Sequence, residues 1–185
     1  VSGVGVVLYG TSLFQGGTLQ EMIAVKGINL WVDPTDLEPA WGVAAVRNSG
    51  DKIVSVDTIR IRGSDVPVAN WYVDKDQTRV SVTNYQAQFN HTGYTGVNGM
   101  INDYDPDTDC STGDLKIDQD GTGGESALCL SQATSSQLLN PGERMIVYFK
   151  VPSGILASID AGTATAVSVY AGSTGSPQSI TVATP

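Results

Sequence analysis

With 185 residues, 10 basic against 19 acidic side chains and a net charge of −9, the chain is long enough for one domain with a buried core. Its acidity argues against a nucleic-acid partner and against anionic lipid, and a charged fraction of only 16% argues against disorder through self-repulsion. Valine, threonine, serine, glycine and isoleucine abound and no long amphipathic helix pattern is present, which points to an all-β domain.

The first twenty residues (VSGVGVVLYGTSLFQGGTLQ) carry no ionisable side chain except Tyr9. Ordinary termini are polar and frayed unless something holds them, so Val1, Val4, Val7, Leu8, Leu13 and Phe14 need a burial partner. Val4, Val7, Leu8 and Thr11 recur at helical spacing and predict one apolar helix face. Gly3, Gly5 and Gly10 weaken such a helix in water, each by about 1 kcal/mol relative to alanine, yet allow packed helices to approach closely. An extended conformation, inserted as a strand into a neighbouring subunit, is the alternative geometry. A terminus docked on its own domain, a disordered one, or the remnant of a signal peptide are the readings that need no assembly. An apolar run of about 14 residues falls short of the roughly 20 that span a bilayer.

After the break at Gly16-Gly17, residues 22–32 read as a first strand ending at Asp33-Pro34. Residues 41–47 (WGVAAVR) and 52–62 (KIVSVDTIRIR) read as a hairpin joined by Asn48-Ser49-Gly50-Asp51. Val54 and Val56 share one parity and Ile59 and Ile61 the other, which predicts a bulge near Asp57-Thr58. Residues 70–73 suit an edge piece, and residues 79–89 alternate with Val80 and Val82 inward. From residue 90 to about 126 the chain turns to Gly, Asn, Asp and Thr, the composition of a long surface insertion outside the core. Asn140-Pro141-Gly142 predicts a type II turn, followed by a strand over 143–151 with Met145, Val147, Phe149 and Val151 on one face. Val167 and Val169, then Ile180 and Val182, mark the inward positions of the last two strands. At least seven strands with closely spaced turns describe a two-layer sandwich.

Cys110 and Cys129, the only cysteines, cannot build a metal site with the single His91 unless oxygen ligands join them. A disulfide is the economical reading; it pins the insertion over about 90–130 and implies an oxidising compartment outside the cytoplasm, unless the source is a hyperthermophile with intracellular disulfides. Asp103, Asp105, Asp107 and Asp109 alternate, and Asp114 falls at position 12 of the same loop, an oxygen-rich pattern that calcium favours. Thr108 stands where the helical calcium loop needs glycine, and Pro106 stiffens the middle, so a solvated acidic loop is the competing reading. Asn90-His91-Thr92 is an N-glycosylation acceptor triplet. Trp31, Trp41, Trp71 and Tyr72 could stack on sugars, but alternating strand positions suit core packing. No nucleophile and base pair stands out, nor a carboxylate pair, so the chain is read as non-enzymatic.

The order of LYGTSLFQGGTLQE, AVKGINLWV, RNSGDK, VSVDTIRIRG and LLNPGE resembles archaeal type IV pilins and related adhesion-filament subunits, across most of the chain outside the insertion. The resemblance implies a mainly β fold: an immunoglobulin-like β-sandwich over 19–185 behind a hydrophobic N-terminal α-helix over 1–18. It further implies an extracellular, helical homopolymer whose cores are the helices, used for surface adhesion, with membrane association only before assembly. Surface glycans or abiotic surfaces are the partners so implied, and calcium is the one ion the acidic loop would take. The helix here is shorter than is usual in that family, so either earlier turns precede Val1 or this subunit has a shorter one. Archaeal flagellar-filament subunits share the architecture. A secreted β-sandwich binding module, calcium-dependent and carbohydrate-directed, is the alternative from a different class.

Overall fold

A computed structural model describes residues 21–37, 39–80, 101–102, 114–118 and 127–184. These residues are mainly β. In chain order the strands are β1 (Ile23–Trp31), β2 (Trp41–Asn48), β3 (Val54–Val56), β4 (Thr58–Ile61), β5 (Ser64–Asp65), β6 (Trp71–Asp74) and β7 (Ile101–Asn102). There follow β8 (Leu115–Asp118), β9 (Ala127–Leu130), β10 (Gln137–Leu139), β11 (Arg144–Lys150), β12 (Ala164–Ala171) and β13 (Thr174–Ala183). Eight of them form one continuous sheet in the order β5-β4-β12-β13-β1-β2-β11-β6. A two-stranded ribbon, β10-β3, and a three-stranded sheet, β7-β8-β9, complete the described strands.

The large sheet curls. Ile59 and Ile61 of β4, Val167 and Val169 of β12 and Val182 of β13 meet Leu30 of β1, Val46 of β2, Phe149 of β11 and Trp71 of β6 in a single apolar cluster. Strands from both ends of the sheet order can share one core only if the sheet bends around it. The β10-β3 ribbon adds Leu139, Val54 and Val56 to the same cluster. Period-two alternation drives the outer wing: along β12 the pattern is exposed, buried, exposed, buried from Ala164 onward, as one-sided burial requires.

The central strands obey a different pattern. β2 and β11 are nearly continuous apolar runs and are buried on both faces. Ala44, Val46, Met145, Val147 and Phe149 point into the first cluster. Trp41, Val43, Ala45, Ile146 and Tyr148 point the other way, into a second cluster with Trp31, Tyr72, Val80, Leu115 and Leu130. Unbroken apolar runs are what strands covered on both faces need.

β1 holds the sheet together. It pairs antiparallel with β2 from Ile23 opposite Asn48 to Trp31 opposite Trp41, with an irregularity between Val25 and Gly27. Its other edge pairs with β13 in parallel, at Leu30 with Val182 and Trp31 with Ala183. Nearer the start of β1, side chains take the place of the ladder: Gln178 Nε2 donates to Val25 O at 3.2 Å and Thr174 Oγ1 to Glu21 O at 3.1 Å.

Four expectations are corrected. Residues 41–47 and 52–62 do not form a hairpin: the neighbours of β2 are β1 and β11, because its two apolar faces demand the middle of the sheet. The parity slip at Asp57-Thr58 is a change of sheet in place of a bulge. β3 leaves for the ribbon with β10, β4 joins β12, and Val54, Val56, Ile59 and Ile61 still reach one core. Residues 79–80 belong to a helical turn, α1 (Gln77–Val80), whose backbone closes from Val80 N to Asp76 O at 2.9 Å. Asp76 fixes that turn by accepting from Thr78 N and Thr78 Oγ1, and this local bonding outweighs the weak alternation of the sequence. The stretch 90–126 is not wholly outside the core, since Leu115 is fully buried on β8 and packs in the second cluster.

The type II turn stands where expected. Gly142 has φ +84°, and Glu143 N donates to Asn140 O at 2.9 Å.

Candidate functional site

The two ends of β1 define two poles of the sheet, nine residues and about 30 Å apart. At the first pole the chain enters from residues 1–20. Met22 O accepts from Ser49 N at 3.1 Å, and Glu21 O accepts from Thr174. The joint between the apolar segment and the sheet is thus bonded on both sides from Glu21 onward. Asn48, fully buried, braces the same pole. Its Nδ2 donates to Lys52 O at 2.7 Å and Leu139 O at 2.9 Å, while its Oδ1 accepts from Gly50 N at 3.0 Å. Both amide N–H groups and the amide oxygen are thus hydrogen-bonded, so the end of β2, its turn and β10 are fixed together.

At the far pole three loops are stitched by carboxylates. Asp33, just after β1, accepts from Thr35 N, Thr35 Oγ1 and Leu37 N, an aspartate folding its own turn. Asp36 then reaches across 122 positions of sequence, accepting from Ser158 N and Ser158 Oγ, each at 2.6 Å. Asp160 accepts from Ala157 N at 2.9 Å and from Arg62 Nη2 at 2.6 Å, and Arg62 Nη1 donates to Ile155 O at 2.7 Å. The hydrogen bond from Arg62, helped by that from Ala157 N, holds the Asp160 carboxyl below its ordinary value.

Asp36 (φ 57°) and Arg62 (φ 53°) are the two non-glycine residues in the left-handed region among the described residues. Both lie in this stitched pole. Such a conformation persists where the surroundings over-determine it, and here each of the two side chains bonds to another loop. The arrangement leaves two large aliphatic side chains standing in water: Leu37 is 82% exposed and Ile159 86% exposed. Leu37 follows Asp36 and Ile159 follows Ser158, so the two flank one clamp.

The residues singled out in the sequence are placed as follows. Val1, Val4, Val7, Leu8, Leu13 and Phe14, the glycosylation candidate Asn90, the carboxylates Asp103, Asp105, Asp107 and Asp109, and Cys110 all lie outside the described residues. Asp114 is described and half-buried beside β8. Among the described residues no group of three or more His, Cys, Asp or Glu side chains is placed to hold a metal ion. Cys129, on β9, is disulfide-bonded, and Cys110 is the one other cysteine of the chain. Trp31, Trp41, Trp71 and Tyr72 are buried and offer no stacking face to solvent. Trp71 donates its indole N–H to Val66 O at 3.2 Å, and the Trp41 and Tyr72 rings lie 5.8 Å apart in a tilted pair.

Sequence reasoning passed over the stitched pole. Asp33-Pro34-Thr35-Asp36 carried an aspartate-turn signal, but the Asp36 to Ser158 and Arg62 to Asp160 contacts are long-range and leave no local trace. Compared with models of known protein families and with curated protein sequences, the chain matches none.

Proposed function

We propose that the chain is a structural, non-enzymatic subunit of an extracellular archaeal type IV pilus-like filament. It polymerises through an N-terminal hydrophobic helix and serves surface adhesion. In this reading the curled sheet is the immunoglobulin-like sandwich of the outer sheath: β1, β2, β11 and β6 make one layer, and β4, β12 and β13 the other. The observation that carries it is the joint at Glu21. An apolar segment of about 14 residues, without a charge, precedes a central strand, and the carbonyls of Glu21 and Met22 just ahead of that strand are hydrogen-bonded to the domain. Such a joint transmits the position of a buried segment to its domain. An apolar stripe buried only against copies of itself makes a heterologous contact, which propagates into open helical fibres. The disulfide at Cys129 agrees with an oxidising, extracellular setting.

Electron microscopy and sedimentation of the full chain, beside a variant lacking residues 1–14, test the proposal. The full chain is expected as fibres and the deletion as folded monomers. A full chain that stays monomeric, or a deletion that still forms fibres, overturns the reading; a monomer in both cases would favour a secreted binding module.

A further inference from the structure

We infer that Met22, Ile53 and Leu138, at the pole where residues 1–20 join the domain, form the surface on which the sheath domain receives the apolar segment of a second copy. The inference rests on the filament reading and names the part of the domain that packs on the filament core.

Among the described residues, three of the five large hydrophobic side chains that stand in water belong to this one pole: Met22 is 44% exposed, Ile53 56% and Leu138 59%. Single exposed apolar side chains are ordinary, but one buried residue sets the place of all three. Asn48 lies opposite Ile23, and its Nδ2 donates to Lys52 O and to Leu139 O. Met22, Ile53 and Leu138 are the chain neighbours of those three residues, so each is anchored one residue away from Asn48. The β10-β3 ribbon makes a face of the last two. Val54, Val56 and Leu139 fill the first cluster, which turns the alternate positions outward. Leu138 stands opposite Ser55, and Ile53 lies two residues from Ser55 on the same face, the diagonal position that long side chains reach. Ser55 Oγ donates to Ser136 Oγ at 2.8 Å, so the hydroxyls of that face bond to each other and leave it to an apolar partner.

The chain itself names the occupant. Residues 1–20 carry no charge and join the domain at Glu21, whose carbonyl accepts from Thr174, so an apolar segment starts beside this patch in every copy. Its apolar residues nearest the joint in sequence are Leu13 and Phe14, and in a filament these lie where the core meets the sheath. A segment folded back on its own patch would lose the stripe that the filament reading buries against sister segments. A segment of one copy on the patch of another is instead a heterologous contact, with the same direction at every subunit, and it propagates without closing. Size agrees with this partner. Three side chains fall far short of the roughly 1,200–2,000 Å² that a stable folded partner needs, whereas a segment already held in the core meets the patch at a high effective concentration.

The test uses full-chain fibres assembled from a mixture of heavy-nitrogen-labelled and unlabelled copies, with a benzophenone photo-crosslinking amino acid replacing Leu138 or, as a second probe, Ile53. After irradiation and cleavage at Glu21, mass spectrometry is expected to find either probe joined to the peptide 1–21, in products of mixed isotope content. Products of single isotope content would mean that the segment docks on its own domain, and they overturn the inference, as does the absence of any product with that peptide. The double variant I53S/L138S is expected to raise the concentration at which fibres dissociate by about tenfold or more. Its thermal melt should stay at the wild-type temperature, since both side chains are more than half exposed. L37S/I159S, at the far pole, should leave the dissociation concentration unchanged; an equal rise in the two double variants also overturns the inference. Wild-type fibres that fail these tests leave the filament reading standing and remove this one alone. A wild-type chain that forms no fibre removes both.

Discussion

Gly42, in the middle of β2, offers the sharpest test of how the core is packed. A Cβ built there would lie 2.3 Å from Phe149 Cε2, 2.4 Å from Phe149 Cζ and 2.8 Å from Leu30 Cδ2. Phe149 and Leu30 are both fully buried, so neither can swing into solvent. Overpacking of this kind costs about 1–3 kcal/mol and occasionally more. Two immobile neighbours place Gly42→Ala near about 3 kcal/mol, less a few tenths to about 1 kcal/mol regained from reduced freedom of the unfolded chain. Gly175 is the internal control. A Cβ there meets Tyr170 at the same 2.3 Å. Tyr170 is only half-buried, so its ring can move aside. The loss is then its contact with Arg60, 5.7 Å from the ring, worth about 0.5–1 kcal/mol. Urea unfolding of both variants should show Gly42→Ala destabilised by about 2 kcal/mol more than Gly175→Ala. Phe149→Leu in the Gly42→Ala background should give a favourable coupling of about 1 kcal/mol or more, because the shortened side chain vacates the added methyl's position. Equal effects at the two glycines, or strict additivity with Phe149→Leu, would refute the close approach of β2 to Phe149.

Tyr148→Phe should leave stability unchanged or raise it by about 1 kcal/mol, since the buried Tyr148 hydroxyl has no hydrogen-bond partner among the described residues. Burial first, and the negative charge of Asp74 second, push the Tyr148 hydroxyl well above its ordinary 10.0. Its share of stability is therefore full below pH 10.0 and lost as pH rises toward the folded value, so the phenylalanine variant should resist alkaline unfolding better; a less stable variant would disprove the orphaned hydroxyl. Asp160 has the opposite sign. Its carboxyl is lowered from 3.8 in the folded chain, so its contribution is present above pH 3.8 and disappears as pH falls through the folded value. Arg62→Gln removes the principal cause, and melts from neutral to strongly acid pH should show a flatter acid limb than wild type; parallel limbs would dismiss the pair as a stability determinant.

What the sequence made legible follows its periodicities. Met145, Val147 and Phe149 could be assigned to one face because a strand alternates strictly, and they do share the first cluster. The same alternation hid Ile146 and Tyr148, whose burial needs a second layer that no local window announces. WGVAAV was read as half of a hairpin because a turn-like Asn-Ser-Gly-Asp followed it; its lack of any polar face was the better guide, pointing to a strand covered twice. Residues 52–62 showed the parity slip plainly, while the exchange of partner at Asp57 depends on β10 and β12, far along the chain. Leu115 was missed because a solitary leucine amid Gly and Asp has no periodicity. The clamp at Asp36 and Ser158 was invisible for the related reason that its two halves meet only after the sheet has curled.

The double burial of β2 and β11 also determines what the chain between β6 and β10 must do. A sheet can leave a face to water only when that face is polar, and the second face of this one carries Trp31, Trp41, Val43, Tyr72, Ile146 and Tyr148. Some segment has to cover it. Val80, at the end of α1, and Leu115, at the start of β8, both pack on this face, and Leu130 joins them from β9. The composition of β2 and β11 therefore requires a cover on this face, and among the described residues Val80, Leu115 and Leu130 supply it.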